Sequence, residues 1–152
     1  MQISTLLNQD AKLLNELVAL LLKEQGSLVN MDIDAIESIL DEKSEVLEVI
    51  SNATKARHLA LGQAGFDASE NGMIVWVGKN ANSRDQATWK TFQTELARAK
   101  ELNRVNGQMI NQHFNRNQNT INQLQGKPSG TGVYGPNGQA TTSNRSRGML
   151  AV

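Results

Sequence analysis

Two histidines, a cluster of carboxylates and a glycine-rich run are the side chains in this chain that could do chemistry. His58 and His113 stand far apart, in no H-x-x-x-H or H-E-x-x-H frame, and the chain has no cysteine to complete a ligand set. His113 neighbours Met109, Ile110 and Phe114, which reads as the boundary of a helical face rather than as a general base. Asp32, Asp34, Glu37, Asp41 and Glu42 crowd together, but a helix start and a solvated face explain them better than a carboxylate dyad. The glycines from Gly126 to Gly138 neither follow a strand nor open a helix, so they do not make a phosphate cradle. Catalysis needs a nucleophile, a base or a metal in convergent geometry. The sequence therefore predicts no enzyme, no metal site and no cofactor.

The elements that position these residues read as helices. From Ser83 to Gln125 there is no proline and one glycine, Gly107, while Trp89, Phe92, Leu96, Leu102, Val105, Met109, Ile110, Phe114, Ile121 and Leu124 recur at helical steps. Ser83 followed by Gln86 fits a capping box at its start. Such a helix would be about 60 Å long. It needs other long helices beside it.

The N-terminal third supplies them. Leu7, Ala11, Leu14, Val18, Leu21 and Leu28 mark a first helix from Ile3 to Val29, and Leu6, Leu13, Leu17 and Leu20 widen its stripe beyond a two-stranded seam. Gly26 and Asn30-Met31-Asp32 weaken or end it, and Asp32 or Asp34 can cap the next. Ile33, Ile36, Leu40, Leu47 and Ile50 carry that second helix to about Leu61. Gly62 to Gly72 reads as a loop and Lys79 to Asn82 as a linker. Between them, Met73 to Val77 has the length and β-branching of a strand but no strand to pair with, so a short helical turn that seats Trp76 over the hairpin end is predicted. The expected fold is all-α: an antiparallel bundle of three main helices, one very long, over 1–125, with a flexible Gly/Ser/Asn-rich tail over 126–152.

Composition narrows the class of partner. Basic and acidic side chains number 15 each, so nothing in the charge suggests a polyelectrolyte surface for nucleic acid or anionic lipid. Aromatics at 4% and only 2 prolines favour helices over a β-sandwich. The N-terminus lacks a basic leader, and Asn15 and Glu16 interrupt its leucines, so a cytoplasmic protein without membrane insertion is expected.

Two stretches suit protein partners. From Asn103 to Gln125 roughly half the residues are Asn or Gln, and amides can bond a partner without the desolvation cost of charges. Met109, Ile110, Phe114, Ile121 and Leu124 form a sparse apolar stripe there, a candidate seat for a partner helix. Ordinary core packing is the competing reading, and the better one for Met109 and Ile110. In the tail, Val133-Tyr134 is framed by the turn residues Gly135-Pro136-Asn137-Gly138, either an aromatic anchor or a spacer with an incidental tyrosine.

Three marks together resemble the FlgN family of flagellar export chaperones. They are Leu40-Asp-Glu-Lys43, then Leu102-Asn103-Arg-Val-Asn106-Gly107-Gln-Met-Ile110, then Val133-Tyr134-Gly135-Pro136-Asn137-Gly138-Gln139. Valine stands before Tyr134 where the family pattern has leucine, and methionine replaces leucine at 109. The resemblance implies a cytoplasmic chaperone of the flagellar type III secretion system. Its partners would be hook–filament junction proteins, shielded at their terminal helices, and the flagellar export gate, with Val133, Tyr134, Gly135 and Gly138 as the docking signal. A self-associating coiled-coil homo-oligomer is the structural alternative, and a nucleic-acid adaptor using Arg98, Arg104 and Arg116 is disfavoured by the charge balance.

Overall fold

The computed structural model describes residues 2–126. Four helices occupy them: α1 (Gln2–Asn30), α2 (Ile33–Gln63), α3 (Glu70–Asn80) and α4 (Ser83–Leu124). No strand occurs among the described residues. Backbone packing divides the chain into two units, the first ending at Gly107 and the second beginning at Gln108 inside α4.

In the first unit the expected stripe of α1 is the core. Leu7, Leu14, Leu17, Val18 and Leu21 pack with Ala60 and Leu61 of α2, Met73 and Trp76 of α3, and Trp89, Phe92 and Ala99 of α4. Trp89 and Phe92 stack with centroids 5.6 Å apart. Polar contacts give the helix directions. Asp10 meets Arg57 and Glu24 meets Lys43, so α2 runs antiparallel to α1. Ser4 meets Asp85 and Leu21 meets Asn106, so α4 returns parallel to α1. The three main helices run up, down and up, with α3 at the second turn.

Each terminus has a local cause. The α1–α2 turn is a Schellman motif, with the Asp32 N–H donating to Ser27 O at 3.0 Å and Met31 left-handed at φ 56°. Gly26 stays inside α1 and ends nothing. Asp32 caps α2 by accepting the Ala35 N–H, and α2 continues past Leu61 to Gln63.

The stretch predicted as loop, turn and linker is more helical than expected. Ser69 caps α3, accepting the Gly72 N–H at 3.2 Å. The helix then takes in Met73 to Val77 and runs to Asn80. Only Ala81 and Asn82 remain as linker. The capping box predicted at Ser83 is not formed: Asn82 Oδ1 accepts the Asp85 N–H at 2.9 Å, while the Gln86 amide turns back to Ala81 O. Ser83 is already helical, and the amide one residue earlier has the reach to cap.

Candidate functional site

The second unit carries the predicted cargo residues on the last turns of α4. Phe114, Ile121 and Leu124 are 64%, 45% and 83% exposed, and Met109 and Ile110 are half-buried. At about 100° per residue, Ile110, Phe114 and Ile121 fall within about 40° of arc, and Leu124 lies about 80° from Phe114. Met109 points to a different side. Ile110, Phe114 and Ile121 thus share one ridge, Leu124 flanks it, and Met109 is not part of it. Around the ridge the side chains are mostly amides, with Arg116 the single permanently charged residue from Val105 to Leu124. Local bonds tidy this surface, the Thr120 hydroxyl donating to Arg116 O at 3.1 Å. His113 Nδ1 is buried with no partner among the described residues. The docking residues Val133, Tyr134, Gly135 and Gly138 lie outside the described residues.

The structure also gives two of the three sequence marks a common purpose. Lys43, from the first mark, donates to Glu24 Oε1 and Oε2 at 3.2 and 3.0 Å and to Asn103 Oδ1 at 3.2 Å. Asn106, from the second mark, donates to Leu21 O at 2.9 Å and to Glu24 Oε1 at 2.8 Å. Glu24 and Asn106 are completely buried. Glu24 is therefore the hub of a clasp joining α1, α2 and α4. Within these marks Lys43, Asn103 and Asn106 hold the bundle together, while Leu40, Asp41 and Ile110 keep some exposure.

A second buried cluster lies at the other end of the first unit. Arg57 Nε donates to Asp10 Oδ2 at 2.5 Å and Nη2 to Glu70 Oε1 at 2.9 Å, and the guanidinium sits 5.8 and 5.6 Å from the Trp89 and Phe92 ring centres. His58 Nε2 also donates to Glu70 Oε1, at 2.8 Å. Burial pushes the Asp10 carboxyl up, against the opposing pull of Arg57. Burial also pushes Glu70 up, but hydrogen bonds from His58 and Arg57 and their charges outweigh it and hold that carboxyl below its ordinary range. The sequence reading placed no functional role on Asp10, Glu24, Arg57, Glu70 or Asp85.

The members of each cluster bond one another: Arg57 with Asp10 and Glu70, His58 with Glu70, and Lys43 and Asn106 with Glu24. Among the described residues no group of His, Asp and Glu could hold a metal ion. Arg98 and Arg104 are taken up by Glu95 and Glu101 on the same helix, at 3.4 and 2.8 Å. No described helix is long and apolar enough to cross a membrane.

The all-helical core, the buried clasp built from two of the family marks and the exposed amide-rich end of α4 define a helical-bundle protein. The chain belongs to the FlgN protein family, whose model matches residues 1–142. It is similar to the flagella synthesis protein FlgN of Proteus mirabilis, 29% identical over 132 residues that cover 86% of this chain and 84% of that one. No solved structure matches.

Proposed function

We propose that the chain is a cytoplasmic chaperone of flagellar export that covers the terminal helices of hook–filament junction proteins until their delivery. The observation that carries this reading is the ridge of half-buried Ile110 and exposed Phe114 and Ile121, with exposed Leu124 beside it, on the end of α4, where Arg116 is the single permanent charge from Val105 to Leu124. An assembly-prone amphipathic helix needs an apolar face to stand in for its future neighbours. Amides around the ridge can bond that helix without the desolvation cost of charges, which keeps the complex reversible. Family membership supports the flagellar setting. In this reading residues 126–152 are a separate tail in which Val133, Tyr134, Gly135 and Gly138 dock the export gate.

The test is calorimetric titration with a C-terminal helical fragment of a hook–filament junction protein. The full chain and a truncation ending at Gln125 are run side by side, with Phe114→Asp as the site variant. Comparable one-to-one binding by both chains is expected, weakened about ten-fold or more by Phe114→Asp at unchanged helicity. Absence of binding by either chain would hand the ridge to self-association. Equal loss of melting temperature and affinity in Phe114→Asp would make Phe114 a core residue.

A further inference from the structure

We propose that the outward face of α2 is a second docking surface, distinct from the ridge on α4, and that its occupant is a basic amphipathic helix. Ile33, Leu40 and Leu47 follow one another at intervals of seven and remain 53%, 36% and 45% exposed. Single exposed apolar residues are ordinary, but these three fall within about 40° of arc and make a continuous line about 21 Å long. They flank the core side of the helix, which is taken by Ile39, Arg57, Ala60 and Leu61, and stay exposed at its edge.

The charges beside the line select the partner. Glu37, Asp41 and Glu48 lie about 40–80° further round the helix, all exposed, and so border the line on its solvent edge. From Asp32 to Glu48 the sequence has seven carboxylates and one cation, Lys43. That cation is held by Glu24 and Asn103 and does not offset the rim. The chain as a whole is neutral, so the first half of α2 carries an excess of negative charge, of which Glu37, Asp41 and Glu48 border the line. A second copy laid on the same face would set Glu37, Asp41 and Glu48 against their own equivalents, and an anionic bilayer would be repelled. A helix with a leucine line flanked by lysine or arginine satisfies both the apolar line and the rim.

The probes are two synthetic amphipathic helices of about eighteen residues with identical leucine lines, one flanked by lysine and the other by glutamate. Calorimetry of the full chain should show one-to-one binding of the lysine peptide, weakening as salt is added, and none of the glutamate peptide. Leu40→Ser with Leu47→Ser should lower the affinity about ten-fold or more, and Glu37→Lys with Asp41→Lys should abolish the salt dependence. Both double variants alter exposed positions, and their melting temperatures are recorded beside the titrations. Phe114→Asp should leave lysine-peptide binding unchanged, which separates this surface from the one on α4. Equal binding of both peptides, no binding of the lysine peptide, or binding indifferent to the Leu40/Leu47 pair would each overturn the proposal. So would a dimer in sedimentation that the Leu40/Leu47 variant splits, since the face would then belong to a second copy.

Discussion

Arg57 is 1% exposed and serves four groups at once, two carboxylates and two aromatic faces. A buried charge survives only when paired, so Arg57 and Asp10 depend on each other more than either adds to stability. Glu70 is the member whose titration can be followed. Its carboxyl is held below the ordinary value of 4.5, so as pH falls the unfolded chain takes up this proton before the folded one. Its contribution is therefore fully present above 4.5 and disappears as pH drops through the lower folded value. Asp10 is shifted upward and runs the opposite way, the folded chain taking its proton first. Glu70→Gln should lower the melting temperature at neutral pH, with the gap from the parent closing toward the acid end of a pH series of thermal melts. A gap that persists at the acid end would mean that Glu70 acts by packing. These residues were legible in principle. Asp10 stands three after Leu7 and four before Leu14, and Glu24 three after Leu21 and four before Leu28, within the buried stripe. Read by type they look like surface carboxylates; read by helical phase they are core positions awaiting partners that periodicity cannot name.

At the scale of elements, α1, α2 and α4 follow from apolar periodicity, although that period leaves Ile33, Leu40 and Leu47 exposed on α2 and fully buries no residue of α4 past Asn106. The short helix α3 did not declare itself in full. Met73 to Val77 is compatible with either period, and Gly72 suggests a loop. The fold decides: Met73 and Trp76, three apart, are buried, while Ile74 and Val75 are exposed, a helical division that strand alternation cannot give. Gly72 is needed for contact rather than flexibility, since a Cβ there would lie 1.8 Å from Asp67 O. Gly26 is its counterpart, with nothing within 4 Å of an added Cβ. Gly72→Ala should therefore destabilise by about 1–3 kcal/mol through displacement of the Asp67 backbone. Gly26→Ala should stabilise α1 by up to about 1 kcal/mol through helix propensity. Urea denaturation of both variants checks the pair, and equal effects would show that the α2–α3 turn yields freely.

At the scale of the molecule, the clasp at Glu24 binds the three main helices of the first unit at one level. Glu24→Lys would set two ammonium groups together in a buried site and should cost about 3–5 kcal/mol. Adding Lys43→Glu should recover part of that loss but not all, because Asn106 would still lack the acceptor it has in Glu24. Equilibrium unfolding of the two single variants and the double variant measures the coupling, and independent effects would show that the clasp is not a unit. The three-helix plan was legible in the sequence, but its alignment was not. Apolar seams that repeat every seven residues fit one another equally well after a shift of seven. Asp10 to Glu24 spans fourteen residues on α1, and Lys43 to Arg57 spans fourteen on α2. Both pairs close only in one alignment. Sliding α2 by one heptad would put Asp10 and Glu24 opposite Ile50 and Ile36, or opposite Ala64 and Ile50, and strand both carboxylates in an apolar seam. The two ion pairs thus work as a vernier: apolar side chains supply the attraction between helices, and the charges count the residues.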